Sequence, residues 1–136
     1  MPSAVSTNGT QLLVVERDNH RALLWNSIPT VTKQPADVVL GQPDFTTATA
    51  GITQSKLSSP IGGYIDKNRI YIVDFGNRRV LIWNSIPTTN GAPADIVLGQ
   101  PNFTTNIAGA TATGMNAPQG FSSNSLLQGI KLPSGY

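Results

Sequence analysis

The chain has 136 residues, of which 39% are hydrophobic and 12% are charged, and its net charge is +2. This composition is typical of a folded protein, and so small a charge gives no strong attraction to nucleic acid or to an anionic membrane. The absence of cysteine excludes disulfides and thiolate metal sites. No apolar run approaches the roughly 20 residues that span a bilayer, and we expect no secretion signal in residues 1–11.

Four short apolar segments, separated by turn residues, are the first predicted elements. They lie at residues 3–7, 12–16, 22–25 and 37–40. Short segments rich in Val, Leu and Trp, bounded by Gly, Pro, Asn or Asp, are typical of strands with hairpin-length connections. A connection rich in Thr, Ala and Gly follows at residues 43–59.

The same pattern returns 58 residues later, because residues 12–47 recur without a gap as residues 70–105. The second set of predicted strands lies at residues 62–66, 69–73, 80–83 and 95–98, with the matching connection at 101–117. The prolines that open each copy keep the same spacing, at Pro2, Pro60 and Pro118. A repeat of this kind indicates one supersecondary unit stacked on copies of itself.

The predicted fold class is all-β, with each copy forming a four-stranded antiparallel meander. Segments such as 69–73 and 80–83 are almost continuously apolar, which implies that both faces of the sheet are covered. Such a unit is a β-propeller blade. We expect one blade with its long connection at residues 1–59, a second at 60–117, and a partial third repeat at 118–136.

Two motifs of the repeat resemble the NHL-repeat β-propeller family. One is Pro-x-Gly before the first strand, at Pro60-Ile61-Gly62 and Pro118-Gln119-Gly120. The other is an acid followed by Asn-(His/Arg)-Arg and an aromatic residue, at Glu16, Asn19-His20-Arg21 and Trp25, and at Asp74, Asn77-Arg78-Arg79 and Trp83. The resemblance covers residues 2–105 and resumes at 118–123, with Ala4 in place of the first glycine. It implies the fold and says little of function, because propellers host many activities.

The turns between the second and third strands carry the candidate binding-face residues, which are Glu16, Asn19, His20, Arg21, Asp74, Asn77, Arg78 and Arg79. In the structural interpretation, the asparagine adopts a left-handed turn while the acid and the arginine pair around it. In the functional alternative, these loops collect on one face and line a ligand funnel. His20 is the only histidine, so we predict no metal site, no cofactor and no catalytic residue.

The recurring aromatic residues are predicted to form the structural core of the repeat: Trp25, Trp83, Phe45 and Phe103. The densest basic group is Lys67, Arg69, Arg78 and Arg79, but Asp66 and Asp74 interrupt it. Nucleic-acid binding is therefore disfavoured.

Two blades leave one apolar face open at each end of the stack. We therefore expect the chain to be completed by the remainder of a longer propeller or by copies of itself, in a ring of about three chains or in a filament. In a ring, residues 119–123 of one chain would compete with strand 3–7 of the next, and one of the two would clasp the neighbouring chain.

The first functional hypothesis is a non-enzymatic propeller module that acts as a scaffold or as a binding surface for proteins or ligands. The alternative is a structural subunit of an extracellular assembly or filament, which low charge and Thr/Asn/Gly richness favour. An enzyme centred on the propeller channel is the third and least supported. The compartment is not readable from the sequence, with extracellular or periplasmic locations slightly favoured.

Overall fold

The computed structural model describes residues 1–120 and confirms the predicted all-β fold. Eight strands follow one another within these 120 residues: β1 Pro2–Thr7, β2 Leu12–Glu16, β3 Arg21–Trp25, β4 Val38–Leu40, β5 Gly62–Ile65, β6 Ile70–Asp74, β7 Arg79–Trp83 and β8 Ile96–Leu98. A 3₁₀ turn, Phe75–Asn77, lies between β6 and β7. All eight predicted strands are present, and no strand end differs from the predicted one by more than one residue.

The strands form two antiparallel sheets of four, in the orders β1-β2-β3-β4 and β5-β6-β7-β8. We call them sheet 1 and sheet 2. Each strand pairs with its neighbour in sequence. Short turns join the first three strands of each sheet as hairpins, whereas the longer loops 26–37 and 84–95 lead to β4 and β8. Each repeat therefore folds as one meander, as the sequence predicts. The predicted third repeat beyond Gly120, with its proposed clasp, lies outside the described residues.

Each sheet has two apolar faces, which the pairing register assigns residue by residue. We call face A the side that carries Val5, Val14, Leu23 and Trp25 in sheet 1 and the equivalent Gly63, Ile72, Leu81 and Trp83 in sheet 2. Face B is the opposite side, with Leu13, Val15, Leu24, Val38 and Leu40 in sheet 1 and Tyr71, Val73, Ile82, Ile96 and Leu98 in sheet 2. Successive side chains of a strand alternate between the two.

The core lies where face B of sheet 1 packs on face A of sheet 2. One cluster of buried residues contains Leu13 and Val15 from the first and Ile72, Leu81 and Trp83 from the second. β5 lies against β1 and β2, and the backbone approach there is close. A Cβ added at Gly63 would lie 2.5 Å from Val15 Cγ2, so only glycine fits this geometry.

The contact between the sheets is therefore heterologous, since it joins two different faces of the same repeated unit. It leaves face A of sheet 1 and face B of sheet 2 without a sheet packed on them among the described residues. The outermost strands reveal the difference: Val38 and Leu40 are buried, whereas Ile96 and Leu98 are 37% and 44% exposed. The inner part of face B of sheet 2 is buried in a smaller cluster of Val73, Val80 and Ile82. One free face is a face A and the other is a face B, the same two surfaces that pack on each other between the sheets.

Candidate binding site at the acid, asparagine and arginine motifs

The motif of the second repeat is a buried charge cluster, which we call the second clamp: Asp74, Asn77 and Arg79. The Arg79 Nε atom lies 2.7 Å from Asp74 Oδ2, and both side chains are fully buried. Asn77 donates from Nδ2 to the same carboxylate oxygen at 2.8 Å. Burial raises the pKa of the Asp74 carboxyl, while hydrogen bonds from Ser58, Asn77 and Arg79 act in the opposite direction.

The second clamp holds main-chain groups of the connection that precedes it, residues 51–58. Arg79 Nη2 donates to the carbonyls of Thr53 and Lys56 at 2.8 and 2.9 Å. Asn77 Nδ2 donates to the Gly51 carbonyl at 2.8 Å. From the other side, the backbone N–H of Ser58 donates to Asp74 Oδ1 at 2.7 Å.

These bonds explain why a charged pair is tolerated in the interior, because almost every polar atom of the second clamp has a partner. Arg79 Nη1 also donates to the Phe103 carbonyl at 2.6 Å, so the same guanidinium fixes its own repeat's outgoing connection. The pairing of acid and arginine agrees with the structural interpretation of the motif. Its side chains are engaged with one another and with backbone rather than turned towards solvent.

The motif of the first repeat, Glu16, Asn19 and Arg21, forms the first clamp. Arg21 Nε pairs with Glu16 Oε2, Asn19 donates to Glu16 Oε1 at 3.1 Å, and Arg21 Nη1 donates to the Phe45 carbonyl at 2.6 Å. The same residue pairs are thus bonded as in the second clamp, although Asn19 and Arg21 bind different oxygens of Glu16 whereas Asn77 and Arg79 share Asp74 Oδ2. Both side chains of the ion pair are 17% exposed, however, and within residues 1–120 no bond from this clamp reaches a preceding connection.

The left-handed residue of each turn is not the asparagine, as the sequence suggested, but the residue after it. His20 and Arg78 have φ values of 51° and 54°. The reason is that Asn19 and Asn77 use their side chains to bind the acid, and Asn77 ends a 3₁₀ turn that Arg78 terminates. His20 accepts a hydrogen bond at Nδ1 from the Ser59 N–H at 3.0 Å, so it fastens the next connection.

The four recurring aromatic residues occupy different environments. Trp83 is buried in the core and Trp25 is half-buried on the free face A, and both donate an indole N–H to a carbonyl at 3.0 Å. Phe103 packs against the core. Phe45 is 40% exposed and lies outside it, which corrects the expectation of a core position, because its repeat has no sheet stacked on face A.

The predicted basic group is not one surface in the structure. Lys67 and Arg69 are exposed, whereas Arg79 is buried. Arg78 donates to Asn106 at 2.8 Å and to Asn116 at 3.4 Å. In the part of the chain that the structure describes, no group of three His, Asp or Glu side chains is placed to hold a metal ion, and no helix is long and apolar enough to cross a membrane.

An open cavity of about 310 Å³ lies in the second repeat, lined by Gln100, Pro101, Ile107, Gly109, Thr111 and Gly114. The equivalent place in the first repeat holds the Lys56 side chain, whose ammonium group donates to Thr49 Oγ1 at 3.0 Å. Gly114 stands at the position of Lys56, 58 residues later. The cavity thus results from the loss of one side chain.

The residues that the second clamp binds, 51–58, were not predicted from the sequence. Their contribution is through carbonyl and N–H groups, which every residue carries, so no side-chain pattern marks them. The one available signal is weak: Gly51 and Thr53 recur as Gly109 and Thr111 in an otherwise divergent segment. No protein-family model matches the chain, and no curated protein matches it either.

Proposed function

We propose that this chain is a non-enzymatic pair of NHL-type β-propeller blades that serves as a scaffold, completed by further blades stacked on its two free faces. The observation that carries the proposal is the heterologous contact between the sheets. Face B of sheet 1 packs on face A of sheet 2 within the chain. Among the described residues, face A of sheet 1 and face B of sheet 2 have no sheet packed on them. A stack of this kind can extend in both directions by packing face A on face B.

The energy of the free faces supports completion by other blades. On face A, Leu23 and Trp25 are half-buried where Leu81 and Trp83 are buried. If each free face exposes roughly 400 Å² of apolar surface, burial at about 25 cal/mol per Å² would contribute about 10 kcal/mol. That is comparable with the whole stability of an ordinary domain, about 5 to 15 kcal/mol.

The heterologous contact favours copies of the same chain as the blades that stack on the two free faces. Identical chains joined by face A and face B form a closed ring if the rotation per chain divides the circle, and a filament if it does not. Three chains of two blades would give a six-bladed ring. The open filament is the second candidate function, a structural subunit, and electron microscopy separates the two outcomes.

Sedimentation velocity over a range of concentrations tests the proposal. Val5 is 70% exposed on the free face A, so Val5→Asp should abolish association without disturbing the folded chain. Thr88→Asp is the control, because it places the same charge on an exposed residue of the loop 84–95, which already contacts sheet 1 of its own chain through Asn90 and Val39. A chain that stays monomeric at every concentration, or one that both variants affect equally, contradicts the proposal.

A further inference from the structure

The two clamps differ in what they hold. Arg79 uses Nη2 to bind the carbonyls of Thr53 and Lys56. Arg21 has the same internal bonds, but among the described residues its Nη2 donates to no connection. A guanidinium that is mostly buried beside a carboxylate is a strong donor, and its remaining N–H groups are best satisfied by carbonyl oxygens.

A second segment of the chain, residues 109–116, has the same internal hydrogen bonds as residues 51–58, which the second clamp binds. In the segment that the second clamp holds, the Gly51 N–H donates to the Leu57 carbonyl at 3.1 Å and Ser55 N–H to Thr53 Oγ1 at 3.2 Å. In residues 109–116, the Gly109 N–H donates to the Met115 carbonyl at 3.1 Å and Thr113 N–H to Thr111 Oγ1 at 3.4 Å.

This second segment is therefore already folded for binding, although no clamp of residues 1–120 contacts it. Thr111 is exposed and Gly114 is half-buried. Because the segment need not be ordered on binding, little conformational entropy opposes its docking.

We propose that the first clamp binds residues 109–116 of a second copy of this chain. The bonds follow from the second clamp by the 58-residue offset: Arg21 Nη2 donates to the carbonyls of Thr111 and Gly114, Asn19 donates to the Gly109 carbonyl, and the Asn116 N–H donates to Glu16. This inference rests on the proposed stacking of face A on face B and names the polar contact that accompanies it.

The apolar residue within each segment also supports docking of residues 109–116 on a second copy. Leu57 follows Lys56 in the first connection and is completely buried in the core between the sheets. Its counterpart Met115 packs beside Val73, Val80 and Ile82 on face B of sheet 2. A second copy would cover Met115 as sheet 2 covers Leu57.

Two steric differences make the inference sharper, because Val5 and Asp18 stand in the first repeat where the second has Gly63 and Gly76. In the contact within the chain, Gly63 faces Val15, whereas a second copy would bring Val5 against Val73. Docking in the same geometry therefore has to accommodate the Val5 side chain. Val5→Gly should remove this conflict and strengthen association at least about threefold, and a weakened association after this substitution would count against docking in that geometry.

Cysteine pairing between chains tests the proposed contact directly, because the protein has no cysteine of its own. A Cβ added at Gly76 would lie 3.0 Å from Ser58 Cβ and 2.6 Å from the Ser58 carbonyl oxygen, so these two positions are in contact and the approach is closer than a side chain at residue 76 allows. The equivalent pair between copies is Asp18 and Asn116, where the Asp18 Cβ requires a small displacement that also brings the two Cβ atoms towards the roughly 3.5–4.5 Å of a disulfide. We expect the single variants Asp18→Cys and Asn116→Cys to form a mixed disulfide when combined under mild oxidation.

The specificity control replaces Asn116→Cys by Thr88→Cys, at an exposed position far from the segment in sequence. A second measurement compares Arg21→Gln, which should weaken association at least about tenfold, with Arg17→Gln, which removes the same charge from an exposed side chain. If the chain associates and Val5→Asp prevents it, but the Asp18 and Asn116 variants form no more mixed disulfide than the Thr88 control, this inference is overturned while the proposed stacking stands. A chain that never associates overturns both.

Discussion

The two repeats share one sequence pattern and differ chiefly in what lies before them. The second repeat follows another repeat, and its acid, asparagine and arginine are buried around the backbone of residues 51–58. Within residues 1–120 no connection precedes the first repeat, and its acid, asparagine and arginine bind one another and the Phe45 carbonyl of their own repeat. The burial of the motif is thus a property of the junction between repeats, not of the repeat that carries it.

The largest difference is expected when the two arginines are removed. Arg79→Leu leaves Asp74 buried without its partner, which should lower the free energy of unfolding by about 3–5 kcal/mol. Arg21→Leu leaves Glu16 near solvent, and we expect a loss of about 1 kcal/mol. Urea unfolding followed by tryptophan fluorescence measures both, and equal losses would contradict the distinction between the clamps.

The next difference concerns the apolar residue of each connection. Leu57→Ala should cost about 2–5 kcal/mol, because the side chain is fully buried and the core around it relaxes only in part. Met115→Ala should cost clearly less in the monomer, since Met115 is only partly buried. If the chain stacks as proposed, the cost of Met115→Ala should rise with protein concentration, and thermal unfolding at several concentrations would detect it.

A smaller difference is expected at the asparagines. Asn77→Ala removes the bonds to Asp74 and to the Gly51 carbonyl in a buried place, so the expected loss of stability is about 1–3 kcal/mol. Asn19→Ala removes one bond in a partly buried place, and the loss should be below about 1 kcal/mol. Chemical unfolding of the two variants side by side decides the order.

The smallest expected effect is the pH dependence of one turn. Hydrogen bonds from Thr47 and Thr46 lower the pKa of Asp44 from 3.8 to about 2. The folded state therefore favours the ionised form, and the stabilisation is present above the unfolded pKa and disappears as the pH falls through about 2. Its counterpart Asn102 makes similar bonds without a charge. Carbon-13 NMR titration of the carboxyl should give this midpoint, and Asp44→Asn should remove the dependence.

The sequence predicted the strands well because the signal for them is repeated and local. Short apolar segments bounded by Gly, Pro, Asn and Asp recur with one spacing, and hairpin pairing follows from the short turns between them. The pairing of Asp74 with Arg79 was also predicted, since the two residues flank one turn. The left-handed conformation was predicted at the asparagine and occurs one residue later, because the backbone conformation of this turn depends on which group the Asn77 side chain binds.

What the clamps bind could not be predicted, for a physical reason. The partners of Arg79 and Asn77 are carbonyl groups more than twenty residues away, and any residue can supply a carbonyl. The exposure of Phe45 was missed for a related reason: the burial of a residue in a stacked repeat depends on the neighbouring sheet as well as on its own sequence.

Backbone recognition by the second clamp has a consequence for how such a chain can change over generations. Residues 51–58 and 109–116 agree in identity at only two of eight positions, Gly51/Gly109 and Thr53/Thr111, yet keep the same internal bonds. Side chains of a connection that do not pack in the core can therefore change while its backbone still fits the polar junction. The order in which particular repeats stack must then be determined by other contacts, such as the close packing of Gly63 against Val15. A few substitutions at such contacts can give duplicated repeats a preferred order.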